Sequence, residues 1–453
     1  RVNYSLMDKY LLTVSVRRDG ASVLGETRKW GSFPSGSVAW RISNEKFMEN
    51  IKVISDLKLR AGYGSTGNSN IPPYGSLPQY TFNSYVLNGL RVVGASPNNI
   101  ANTNLQWEST KSSDLGLDLG LLQNRITFTA DYYDKHTTKL LFNRSIPSTS
   151  GFSTILDNIG EVQNKGFEFA LNTVNITNKK VKWTTSLNFS RNMNKVLNLG
   201  DVSSQLTGNV SSSLYPGGQS SSILQVGKPI GSFYGYVFDG IWQTQDEINQ
   251  SGIKTPVKPG DPRYKDINGD GLINASDRTI IGQAVPKFTY GLTSNLTVDK
   301  FNLFVLVQGV YGNKILNENL IEGENGTIAD NKLAYVLTDS WNGPGTSNTL
   351  PSVGSTLRRS LGPTSDVLES GSYLRVKTIT LTYDLPLPRL TSVFKSASIY
   401  VTGQNLFTIT KYSGYDPEVN AYSSSSGNYT SIGTDYNPYP NVKTYTLGIR
   451  LGL

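Results

Sequence analysis

Between Asp266 and Asp277 the chain reads Asp-Ile-Asn-Gly-Asp-Gly-Leu-Ile-Asn-Ala-Ser-Asp, which fits the pattern D-x-N-x-D-G-x5-acid. A hard cation such as Ca2+ gathers about six to eight oxygens, and alternate residues of a tight loop converge to supply them. Asp266, Asn268 and Asp270 stand at the first, third and fifth positions. Leu272 would add its backbone carbonyl and Asn274 a contact through water, while Asp277 closes the loop where a bidentate Glu is usual. The shorter Asp arm predicts fewer oxygens and a weaker site. Gly271 falls where the chain must turn sharply, and Ile273 is the apolar residue such a loop buries. Pro256, Pro259 and Pro262 deny the loop a regular entering helix. The expectation is therefore a structural calcium clamp on a long loop, not a helix-pair sensor. The competing expectation is a run of Asx turns that holds the loop without metal.

Little else in the sequence offers reaction chemistry. There is no Cys and a single His, His136, so a disulfide framework, Cys-ligated metals and any site needing two histidines are excluded. Hydrolysis would have to be built from Asp131 with Asp134 or Asp246 with Glu247, and neither pair comes with a nucleophile and base. Phosphate loops, dinucleotide fingerprints and G-x-S-x-G turns are absent. No catalytic residue is assigned, and the chain is not expected to be an enzyme. His136 reads as a surface imidazole. Aromatic side chains are the better lead. Tyr74, Tyr80, Phe82 and Tyr85 fall in one long connection, and Tyr415, Tyr422, Tyr429, Tyr436 and Tyr439 in another. Flat rings with a hydrogen-bonding tip stack on sugars or peptide side chains at low entropy cost. The alternative favoured by interface composition is that they pack the loops or meet a partner protein.

The elements that must position these residues are legible in the composition and the period. Among 453 residues, 17% are charged, below the roughly 25% of soluble domains; Gly 44 and abundant Ser, Thr and Asn take up the difference. The net charge of +8 contains no Lys/Arg block, so no nucleic-acid partner is expected. No run of about 18 apolar residues encodes a transmembrane helix. The chain opens on Arg1 in a segment that already reads as strand. No signal peptide is read there, and the chain is expected to be a piece of something longer.

Segment after segment alternates with period two. Ile126, Phe128, Ala130 and Tyr132 share one face, as do Leu57, Leu59, Ala61 and Tyr63. Trp183, Thr185, Leu187 and Phe189 repeat the pattern, and Tyr445, Leu447, Ile449, Leu451 and Leu453 close the chain with it. Very short turns at Met7-Asp8-Lys9, Gln123-Asn124, Asn178-Lys179-Lys180 and Asp299-Lys300 alternate with long stretches at 65–104, 198–232, 243–285, 312–371 and 411–441. Short turns on one side and long loops on the other are the asymmetry of a transmembrane β-barrel. A soluble sandwich or propeller has shorter strands and shorter loops. The prediction is an all-β, antiparallel transmembrane barrel with long extracellular loops, of about 14 to 16 strands, a number that fits either a whole porin or part of a larger barrel.

The motifs then resemble a known family. Arg18-Asp19-Gly20, Trp30-Gly31-Ser32-Phe33-Pro34-Ser35 and Ala39-Trp40-Arg41-Ile42-Ser43 are similar to SusC/RagA-type TonB-dependent outer-membrane transporters of the Bacteroidetes. Leu57–Asn68, Asn164-Lys165-Gly166-Phe167-Glu168 and Tyr373-Leu374-Arg375-Val376-Lys377 continue the series in family order. Gly403-Gln404-Asn405-Leu406-Phe407 and Tyr412-Ser413-Gly414-Tyr415-Asp416-Pro417-Glu418 complete it. The resemblance implies that residues 1–453 are the C-terminal portion of a 22-stranded plugged barrel in a bacterial outer membrane. It implies an N-terminal plug, early strands and a TonB-engaging segment that this chain does not contain, and a SusD-like lipoprotein lid. Import of glycans or peptides is the implied function. The alternatives are a SusC-like scaffold subunit of a larger outer-membrane complex and a surface adhesin. Leu453 stands where the family usually ends in an aromatic.

Overall fold

The computed structural model describes residues 1–208, 220–325, 331–355, 361–386, 394–419 and 432–452. Leu453 lies outside them. Thirteen strands follow one another in chain order in one sheet. They are β1 (Val2–Leu6), β2 (Tyr10–Gly20), β3 (Trp30–Arg41), β4 (Ile54–Asn68), β5 (Glu108–Leu121), β6 (Ile126–Thr138) and β7 (Glu161–Thr177). β8 (Val181–Asn198), β9 (Phe288–Val298), β10 (Phe301–Tyr311), β11 (Tyr373–Asp384), β12 (Ser396–Thr410) and β13 (Thr444–Gly452) complete the wall. Within β1–β7 and within β9–β13 neighbours pair antiparallel. The sequence count of about 14 to 16 exceeds this number because period two does not separate wall strands from short loop ladders. Tyr80–Leu87 with Leu90–Pro97, and Leu141–Ser145 with Thr154–Asn158, are such ladders, each in its own two-stranded sheet.

Two compact units divide the described chain. In the first (Arg1–Asn175, Ser186–Gln205 and Gln225–Gly227), the strand faces sort as alternation predicts. Leu12, Val14, Val16, Val38, Leu59, Tyr63, Leu115 and Phe167 are exposed, all on one face. The buried apolar core lies instead in the connections, where Leu24, Ile71 and Leu105 pack with Val23, Trp107, Leu141 and Leu156. The β1–β2 turn places Met7 and Asp8 at φ of 55° and 54°. Two left-handed residues match a tight hairpin turn to strand twist.

The second unit (Ile176–Thr185, Leu206–Leu224 and Lys228–Leu453) repeats this inversion. On β13, Tyr445, Leu447, Ile449 and Leu451 are 55–74% exposed. Its core of Phe233, Leu316, Ile321, Val367 and Leu368 again belongs to the long connections. A water-soluble sheet buries its apolar face; these strands present theirs outward, which hydrocarbon makes favourable and water does not. Aromatic rings close the wall where side chains are missing. Tyr290 lies over Gly309 and Tyr400 over Gly448, each directly opposite in register, and a Cβ on either glycine would come within 2.4 Å of the tyrosine. No helix among the described residues is long and apolar enough to cross a membrane.

Candidate functional site

Opposite the apolar face, β4 to β7 carry a polar one. Arg60 on β4 is paired with Gly116 on β5, which is paired in turn with Asp131 on β6. Gly116 lacks the side chain that would block the path, since a Cβ there would sit 2.5 Å from Asp131 Oδ1 and 2.6 Å from the Arg60 guanidinium. Arg60 therefore reaches across two strands. It donates to both oxygens of Asp118 at 2.9 Å and to Asp131 at 2.8 Å, and Lys58 adds a 2.8 Å contact to Asp118. Further along this face Tyr133 donates to Asn192, whose amide and that of Asn194 donate to Asn164. Such a continuous polar surface backed by an apolar one is what a lumen requires. Of the acid pairs considered for hydrolysis, Asp131 is held by Arg60 and Asp134 by Gln163, while Glu247 accepts from Arg263 at 2.5 Å. His136 lies 3.1 Å from Gln163 and 3.2 Å from Asp134.

The loop 266–277 holds itself by carboxylate-to-backbone contacts. Asp266 accepts from the backbone N–H of Gly269 and of Gly271, both at 2.7 Å. The Gly271 contact, against the opposing effect of burial, leads the hydrogen bonds that hold the Asp266 carboxyl below its ordinary pKa. Asn268 accepts from Asp270 N–H and Asp270 from Leu272 N–H. Asp277 is fully buried and accepts from Ile267 and Asn274 N–H at 2.8 and 2.9 Å. Gly269 and Gly271, at φ of 76° and 82°, make the reversal. Oxygen side chains stand at alternate positions of the loop, but both oxygens of Asp266 and of Asp277 accept backbone N–H bonds, and no group of three or more acids among the described residues is gathered as for a metal ion. The same contacts, with the Asn274 cap on Ser276, form the Asx-turn network that was the competing expectation.

The aromatic clusters divide. Tyr74 is exposed, and Tyr80, Phe82 and Tyr85 stand on the hairpin Tyr80–Leu87, whose Asn88-Gly89 turn has both residues at positive φ. Period two puts Tyr80 and Phe82 on one face and Tyr85 on the other, so the hairpin does not gather the three rings into one platform. Tyr436 donates to Glu322 at 3.1 Å. Tyr415 and Tyr439 are 90% and 88% exposed beside a pocket of ≈ 300 Å³. Tyr422 and Tyr429 lie outside the described residues.

The most densely bonded site is one that sequence spacing does not announce. Arg375, at the start of β11, is 2% exposed. Its guanidinium donates to Asp416 at 2.6 Å, Glu418 at 2.5 Å and Thr408 on β12 at 2.9 Å. Glu418 also accepts from Tyr373 at 2.6 Å and Gln308 at 2.7 Å, and Lys377 stands 3.4 Å away. Burial raises the Asp416 pKa, but the hydrogen bonds from Arg375, the Glu418 backbone and Asn441 outweigh it, leaving the carboxyl below its usual range. Two motifs of the resemblance, Tyr373–Lys377 and Asp416-Pro417-Glu418, are thus the two halves of one clamp that fastens a long connection to the wall. The signal available beforehand was an Arg on the polar phase of a strand and a D-P-E step far along the chain.

The fold and its two faces define a class: a β-barrel membrane protein of the bacterial outer membrane. The comparisons make this specific. The model of the family "TonB dependent receptor-like, beta-barrel" matches residues 1–406, and the chain belongs to that family. TonB-dependent receptor P3 of Formosa agariphila is 37% identical over the whole chain, which covers 45% of that protein. TonB-dependent receptor SusC of Bacteroides thetaiotaomicron is 32% identical, again over the whole chain and 43% of the relative. Among solved structures, the RagAB peptide transporter superposes with a TM-score of 0.83 at 27% identity, over 99% of this chain and 46% of that one. The chain therefore spans a little under half the length of these relatives.

Proposed function

We propose that this chain is the C-terminal barrel portion of a SusC-like, TonB-driven importer that takes up glycans or peptides together with a SusD-like lipoprotein lid. The observation that carries the reading is the two-faced wall: apolar side chains outward along every unit and ion-paired polar side chains on the other face. A neighbour described as a peptide transporter shares this wall over 99% of the chain. In the whole protein the plug and the TonB-engaging segment belong to the part that precedes these residues. The reading assigns no catalytic step; of the acids considered for hydrolysis, Asp131, Asp134 and Glu247 are engaged by Arg60, Gln163 and Arg263. A surface adhesin has no use for an apolar face of this extent, and a scaffold has no use for a polar lumen.

We further propose that Asp266, Asn268, Asp270, Asn274, Asp277 and the Leu272 carbonyl hold Ca2+ as a structural clamp of the surface loop. The ion would supply the charge that draws the exposed Asp270 and Asn268 inward. Uptake tests the function. Cells carrying the gene should accumulate labelled oligosaccharides or oligopeptides, and deletion or a protonophore should abolish it. Accumulation that persists without a proton gradient would overturn the import reading.

A further inference from the structure

The outward face of the first unit changes character at the end where its strands open into long connections. Along β5, β6 and β7, Leu115, Tyr132 and Phe167 pair across the strands as one apolar row, the two rings 5.0 Å apart. Period two keeps every second row on the same face. The next row out is Ser113, Asp134 and Lys165, and the one after it Lys111, His136 and Gln163. On β8 the phase of Leu187 and Phe189 continues to Arg191 and Lys195. Asp134 is engaged by Gln163 at 2.9 Å and His136 at 3.2 Å, and a second acid in this phase, Glu161, stands one row further out. Lys111, Lys165, Arg191 and Lys195 form no ion pair with a described residue, and all but Lys165 are exposed.

We infer that this patch seats the phosphate groups of an anionic lipid of the outer leaflet, whose acyl chains lie along the Leu115–Tyr132–Phe167 row. The position favours a lipid over a soluble anion, because the four cations stand at the edge of a face that hydrocarbon covers. A Lys or Arg there keeps its stem on apolar surface and its charged head at headgroup depth. Basic residues beside a bilayer attract anionic lipids, and a guanidinium binds phosphate through two parallel N–H groups. The inference goes beyond import: it rests on the orientation of the barrel, with long connections outside, and not on what passes through it.

The test titrates diphosphoryl lipid A, with phosphatidylcholine as the zwitterionic counterpart, into the full-length protein in an uncharged detergent, and counts bound lipid by native mass spectrometry. Saturable binding of a single lipid A, weakened by salt, is expected at concentrations where phosphatidylcholine is not retained. Lys111→Gln with Lys195→Gln removes two exposed charges without touching the apolar row and should weaken binding about thirtyfold. Lys179→Gln with Lys180→Gln makes the same change in charge at the short β7–β8 turn, at the other end of the strands, and should leave binding within about twofold of wild type. Equal retention of phosphatidylcholine, or equal weakening by the two double variants, overturns the inference. So does inorganic phosphate competing mole for mole with the lipid, since the acyl chains then contribute nothing. Uptake is read separately, so the import reading and this inference can each fail alone.

Discussion

Replacing Arg375 with Met removes the centre of the clamp while filling most of its volume. The side chain is 3% exposed and its guanidinium makes two charge-assisted bonds and one to a hydroxyl. Glu418 keeps Tyr373, Gln308 and Lys377 and remains partly solvated, so the loss concentrates on Asp416, whose side chain is 7% exposed and retains Asn441 and a backbone N–H. Stripping a buried charge of its partner costs about 3–5 kcal/mol, and the lower end applies here because Asp416 is not left bare. About 3 kcal/mol multiplies the opening of the loop roughly a hundredfold. Hydrogen exchange followed by mass spectrometry on the full-length protein should show amides of 411–419 losing about two decades of protection, while β12 and β13 keep theirs. Neutralising the acids in the same background, with Asp416→Asn and Glu418→Gln, should restore much of it. The pH dependence has a fixed sign. The folded Asp416 carboxyl lies below its unfolded value, so its contribution is complete above about pH 4 and is lost as pH falls through the depressed folded value. Protection in Arg375→Met within threefold of wild type would refute the clamp.

Other parts of the account make their own predictions. Leu187→Arg puts a charge on the exposed apolar face and should cost about 2–4 kcal/mol if it lies at mid-bilayer, read as a lower denaturant midpoint in nanodiscs; an unchanged midpoint counts against the assigned lipid face. Gly116→Ala pushes a methyl into the Arg60–Asp131 contact and should cost about 1–3 kcal/mol by the same assay, with Gly354→Ala, where a Cβ meets nothing within 4 Å, as the unperturbed control. Hydrogen bonds from Lys9, Tyr10 and Trp40 hold the Glu45 carboxyl at a pKa of about 2. Its carbon resonance, assigned by its loss in Glu45→Gln, should stay in the ionised position at about pH 3.5, and titration with an ordinary carboxylate midpoint would disprove the turn cluster. Asp270→Ala should raise protease cleavage within 266–277 in calcium-containing buffer to the level chelation produces in the wild type. Equal cleavage of the wild type with calcium and with chelator removes the metal proposal.

What the sequence made legible follows from how local each signal is. A period of two and the contrast between two-residue turns and long connections are properties of neighbouring residues, so the wall and its lipid face at Leu59, Tyr63 and Leu187 were readable directly. The loop 266–277 was readable because its donors lie within one turn of chain. Arg375 with Asp416 and Glu418 is not: the rest of β11, a connection and the whole of β12 separate the partners, and nothing in the spacing links them. The Asn88-Gly89 step carries a turn signal within the long stretch 65–104, and the strands on either side of it decide which tyrosines share a face. Gly116 looks like any strand glycine until the register shows Arg60 and Asp131 on either side of it. The buried cores at Leu24 and Phe233 lie in connections whose residues carry no period to mark an interior.

The most direct test of the central claim is the intact mass of the polypeptide purified from its native outer membrane. A mass slightly above twice the 49.6 kDa of these residues is predicted, as the 45% coverage of the P3 receptor requires if the thirteen strands belong to a plugged barrel. A mass near 49.6 kDa would leave no room for a plug or a TonB-engaging segment and would contradict TonB-driven import by this protein.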